Sequence, residues 1–169
     1  MTGSSSTFVN GHLADRERIP TRRRDMDLSE LITLCSQPIG FDERVQMVTE
    51  YAHVYPELKY FLIVAYFCKD AFKEIQTTGV IDFIPSKVQK GASPESLSSM
   101  WKEVMRLYDT FPSGPKIKRG IAQRLLSQLH VDDAILIQKL LSGKFYMKEL
   151  NDAVVAAAFP KEIPATPKV

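Results

Sequence analysis

A chain of 169 residues, 44% hydrophobic and 25% charged, is long enough to bury one ordinary core and leaves one domain as the simplest organisation. Its net charge of +2 arises within residues 1–26, where Arg16, Arg18, Arg22, Arg23 and Arg24 meet only Asp15, Glu17 and Asp25, so the rest of the chain is balanced. Two cysteines, Cys35 and Cys68, are too few for a disulfide framework or a zinc knuckle, and the longest apolar run, Tyr60 to Cys68, is far too short to span a bilayer.

Residues 1–26 lack helical or strand periodicity, are rich in Ser, Thr, Gly and Arg, and read as a flexible Arg-rich arm without a secretory signal. From Asp27, an N-cap candidate, Leu28, Leu31, Ile32 and Cys35 follow helical spacing until Pro38 and Gly40 end the segment. Asp42 is placed to cap a second helix carrying Val45, Val48 and Ala52 to about Val54. Pro56 opens a third, whose apolar residues from Leu58 through Phe61 and Tyr66 to Ile75 cover nearly every side, the pattern of a central helix.

Thr77, Thr78 and Gly79 stop that helix, and Val80 to Ile84 fits a strand or a single turn equally well. Ser93 and Pro94 mark the next start, with Leu97, Met100, Trp101, Val104, Leu107 and Tyr108 on one face. After the Pro/Gly break at residues 111–115, Ile117, Ile121, Leu125, Leu126 and Leu129 define another helix. Two shorter helices follow, over about Asp132 to Leu141 and about Met147 to Ala158, and the Pro-rich tail 160–169 reads as extended. The expectation is an all-α bundle of about six to seven helices over residues 27–159, with Phe61, Trp101 and Leu125 buried.

No catalytic or cofactor signature stands out. His12, His53 and His130 are widely separated, no Gly-rich phosphate loop occurs, and no cofactor or metal is expected. His130 with Asp132 and Asp133 could be drawn as a metal cluster, but carboxylates at a helix start more often satisfy free N–H groups. Cations are more informative. Lys102, Arg106, Lys116, Lys118, Arg119 and Arg124 gather over residues 101–124 against only Glu103 and Asp109, where they could face phosphates or form a solvated helix face. Lys116, Lys118 and Arg119 are expected to share one exposed surface at a helix start.

The run Leu28-Ser-Glu-Leu-Ile to Ile39-Gly40, with Glu50 to Ile75 containing Pro56-Glu-Leu-Lys-Tyr-Phe, resembles the helical N-terminal DNA-binding domain of phage-type ATP-dependent DNA ligases. Leu126 to Pro160, with Leu129-His-Val-Asp-Asp-Ala134 and Leu150-Asn-Asp-Ala-Val-Val-Ala-Ala-Ala-Phe-Pro160, is similar to small uncharacterised proteins of T-even-like cyanophages. This resemblance, over about Asp27 to Ile163, implies a fold that grips duplex DNA through its phosphates. It does not imply ligation, because the Lys-x-Asp-Gly tetrapeptide needed for lysine adenylation is missing and the chain stops where the catalytic domain is expected to begin.

Two functions fit. One is a non-catalytic phage protein holding duplex DNA without sequence preference, through the arm arginines, the 101–124 cations, Lys144 and Lys148. The other is a structural or interaction protein, a virion component or adaptor that keeps the fold without binding DNA. The charge balance beyond the arm favours the second. The expected partners are duplex DNA or an acidic protein surface, including other phage or virion proteins, with no membrane and no small-molecule substrate. The expected location is the infected host's cytoplasm or the virion.

Overall fold

The computed structural model describes residues 26–87 and 96–163. The expected arm lies outside them except for Met26, as do Ser93, Pro94 and the last six residues of the expected tail. The fold is all-α, with helices α1 (Leu28–Cys35), α2 (Phe41–Val54), α3 (Pro56–Phe67), α4 (Lys73–Gln76), α5 (Leu97–Met105), α6 (Pro115–Gln128), α7 (Val131–Leu141) and α8 (Asp152–Ala158), and a 3-10 turn over Lys69–Phe72. No helix among the described residues is long and apolar enough to cross a membrane.

The all-round apolar surface of α3 is used as its sequence suggests. Leu58, Phe61, Leu62, Ile63, Val64 and Ala65 are buried, and the helix touches α1, α2, α5, α7 and α8. Phe61 meets the edge of Phe145 at a centroid distance of 4.9 Å, an arrangement that suits the ring quadrupoles. Trp101 and Leu125 are buried as expected.

Both ends of α1 are closed by side chains from other segments. At its start the buried Asp133 carboxylate of α7 accepts from the N–H groups of Leu28 at 3.3 Å and Ser29 at 2.7 Å. At its far end the buried Arg44 guanidinium donates to the carbonyl oxygens of Cys35 at 2.6 Å and Ile39 at 3.3 Å. These bonds answer the unpaired groups that every helix end leaves, and so fix α1 to α2 and α7.

Several boundaries differ from the sequence pattern. Gly40, not Asp42, is the cap of α2, and Glu43 reaches back to accept from its N–H at 3.2 Å, leaving Asp42 in the first turn. The third helix does not run to Ile75. It ends at Phe67 with Cys68 as its cap, and beyond it the Ala71 carbonyl accepts from Asp109 N–H at 2.7 Å, while the Asp109 carboxylate caps Glu74 N–H at 2.8 Å. This clasp holds residues 69–76 as separate turns.

Residues 80–84 form neither strand nor turn but an irregular stretch with Ile81 buried. Residues 147–150 precede α8 without joining it. Met147 N–H donates to the Tyr66 hydroxyl at 2.9 Å, and Asn151 caps the helix by accepting from Val154 N–H at 3.1 Å. Pro160 to Glu162 form a turn rather than an extended tail, since Glu162 N–H bonds the Phe159 carbonyl and Ile163 packs on the core.

Candidate functional site

The six cations between residues 101 and 124 divide by use. Lys118 is fully buried and ion-paired with Glu74. Arg119 is half-buried, and its guanidinium donates to the Thr78 carbonyl at 3.0 Å, the Thr78 hydroxyl at 2.9 Å and the Val80 carbonyl at 2.7 Å. Arg106 pairs with Glu103 at 3.1 Å. Lys102, Lys116 and Arg124 stay exposed, as do Lys144 and Lys148. Arg16, Arg18, Arg22, Arg23 and Arg24 fall outside the described residues.

The expected common surface of Lys116, Lys118 and Arg119 is therefore not formed. The physical reason is helix register. Ile117 and Lys118 lie four and three residues before Ile121, so either spacing can continue the inward face. With Glu74 available as a partner, Lys118 takes the inner position and Ile117 is left 60% exposed. Burial of an ammonium is tolerated only beside such a counter-charge.

His130 and its neighbours serve as caps. The His130 ring Nδ1 accepts from Asp132 N–H at 3.1 Å at the start of α7, whereas Asp133 points away to cap α1. Burial pushes the Asp133 carboxyl above the usual carboxylate range, against the opposing pull of the N–H groups it accepts from. Among the described residues no three His, Cys, Asp or Glu side chains come together to hold a metal ion. Cys35 and Cys68 are free thiols, and burial raises Cys35 to about 12.

Arg119 does more than neutralise a helix face. Its bonds, with that of Gln138 Nε2 to the Ile81 carbonyl at 2.7 Å, hold residues 78–81 against α6 and α7. Gln76 Nε2 bonds the Leu141 carbonyl at 2.9 Å and ties the end of α4 to the end of α7. Between the two tied segments lies a cleft of 470 Å³. Gln76 and Gly79 to Ile81 form one wall, and α7 with the turn after it forms the other.

That turn has a specific cause. Gly143 takes φ 72°, where a residue with a Cβ is strained, and closes α7 with bonds from Gly143 N–H to the Leu140 carbonyl at 3.1 Å and from Lys144 N–H to the Lys139 carbonyl at 2.9 Å. The second bond brings Lys139 and Lys144 to the same rim. Both are exposed, and among the described residues no carboxylate lines the cleft. Val80, 72% exposed, supplies open apolar surface, while Ile81 and Leu141 line the cleft but are themselves buried. A second depression of 330 Å³ lies on the other side of Lys139 and contains Ile135, Tyr146 and Met147.

Of the residues singled out from sequence, only Lys144 lines the larger cleft, and sequence reasoning missed Gln76, Gln138 and Lys139. The available signal was Gly143, which follows Lys139-Leu-Leu-Ser142 as a helix terminator and makes a lysine-edged helix end foreseeable. Side-chain amides that tie loops across the fold have no local sequence signature. The site defines an all-α scaffold with a lysine-rimmed, partly apolar cleft. No protein-family model, curated protein or solved structure matches the chain.

Proposed function

We propose that this chain is a non-catalytic interaction protein, a helical adaptor or virion component of a phage that docks on an acidic protein surface in the infected host's cytoplasm or in the virion. The observation that carries this reading is the internal use of Lys118 and Arg119, which removes two of the six 101–124 cations from any phosphate-facing surface, while Arg106 is paired at the surface with Glu103. The chemically capable side chains are occupied as well. His130 and Asp133 close helix ends, and the Cys35 thiol, raised to about 12, stays protonated and a poor nucleophile.

Duplex DNA remains a second reading on one observation. Helix α6 carries no Asp or Glu and leaves Lys116 and Arg124 exposed, a surface that could follow a phosphate backbone as the likeness to the ligase domain implies. The two are separated by titrating the full chain with short duplex and nicked DNA across a salt series. The interaction reading expects weak binding that does not change when Lys102, Lys116 and Arg124 are all replaced by Glu. A steep fall of affinity with salt, abolished by that triple variant, would replace it with the DNA reading.

A further inference from the structure

We infer that the cleft between residues 76–81 and the end of α7 binds an extended acidic segment of a partner protein, seating one large apolar side chain against Val80 while its carboxylates meet Lys139 and Lys144. This rests on the interaction reading above and names the surface and the chemistry of the partner. Three features of the cleft lead to it. Its rim carries two exposed ammonium groups and, among the described residues, its lining contains no carboxylate, so the local field favours an anion.

Its lining combines the exposed apolar side chain of Val80 with the side chains of Gln76 and Gln138, and Ile81 and Leu141 close it from the core side. A volume of 470 Å³ lies within the usual range of ligand pockets and holds a large side chain with its flanking backbone. The walls are also fixed in advance. Arg119, Gln138 and Gln76 together bond the carbonyls of Thr78, Val80, Ile81 and Leu141 across 39 to 65 residues of sequence, which lowers the ordering cost of binding.

A phosphate backbone would make little use of this lining, since it would leave Val80, 72% exposed, without contact. An acidic peptide satisfies both parts. The neutral alternative is that Lys139 and Lys144 merely complement the negative end of the α7 dipole, in which case the apolar wall has no part in binding anything.

The test is selection of a displayed random peptide library on the full chain, followed by fluorescence-anisotropy titration of the enriched peptides in synthetic labelled form. The expected outcome is enrichment of sequences with acidic residues flanking a large apolar one. Affinity should fall roughly tenfold or more for K139E/K144E and for Val80→Asp, and stay within about twofold for K116E/R124E. Circular dichroism melts of the same variants establish that they are folded.

Enriched peptides that bind K139E/K144E and Val80→Asp as tightly as the parent would overturn the cleft assignment while leaving the interaction reading in place. The same holds if binding is lost only on replacing Ile135 and Tyr146, which edge the other depression. No enrichment, or self-association in sedimentation that K139E/K144E abolishes, would also overturn it. Salt-sensitive duplex binding lost in K116E/R124E would overturn the interaction reading itself.

Discussion

Lys118 and Arg119 on α6, and Lys139 and Lys144 at the end of α7, are four cations put to opposite uses. The first pair turns inward, Lys118 onto Glu74 and Arg119 onto backbone carbonyls, and contributes structure. The second pair stands exposed at the rim of a cleft whose far wall the first pair helps to hold. A run of basic residues in a sequence is thus no measure of basic surface. Where each side chain falls relative to the core decides whether its charge reaches a partner.

The comparison is broken most severely by removing Glu74. Glu74→Ala leaves the Lys118 ammonium buried without its counter-charge and should cost about 3–5 kcal/mol in chemical denaturation. Lys118→Met should cost much less, because the Glu74 side chain is 38% exposed and can hydrate, while methionine fills the vacated space. Equal losses for the two variants would contradict an inward lysine that depends on its partner.

Next in size is Arg119→Ala, which frees the carbonyls of Thr78 and Val80 and should destabilise by about 1–3 kcal/mol. Amide exchange at residues 78–82 should then accelerate more than in the α3 core. Unchanged exchange there would mean that the cleft wall is held by something other than the guanidinium.

Asp133 sharpens the contrast, because it is a buried anion used structurally, as Lys118 is a buried cation. Its folded-state pKa is raised by burial, so the folded protein binds more protons than the unfolded chain just above the ordinary carboxylate value. Stability from this group is therefore present at low pH and lost as pH rises through the raised value. Against Asp133→Asn, the wild-type advantage should shrink as pH climbs from the ordinary carboxylate range to neutrality, read from denaturant midpoints. An advantage that grows over that interval would show that the bonds from Leu28 and Ser29 outweigh burial.

The smallest expected effect is on the outward pair. Lys139→Glu with Lys144→Glu should alter stability by no more than about 0.5 kcal/mol per site, since both side chains are exposed. Loss of folding in that variant would place these lysines with the structural cations.

Much of the bundle was legible because apolar spacing is a local property. The inward residues of α3 and α5, and Ile121, Leu125 and Leu126 of α6, follow from it. The misplacement of Ile117 and Lys118 came from two spacings that fit one helix face equally well, settled only by Glu74, 44 residues away. The separation of the turns over residues 69–76 likewise depends on Asp109, and Asp133 was expected to cap its own helix rather than α1. In each case the deciding partner is remote in sequence, and so are the amide ties that build the cleft.

Whether the outward lysines or the α6 face meet the partner is read from amide chemical-shift mapping of the full chain titrated with an enriched acidic peptide. The predicted result is saturable perturbation concentrated at residues 76–81 and 138–144, with Lys116 to Arg124 little changed at their exposed positions. Perturbation centred on Lys116, Gly120 and Arg124 instead would contradict it.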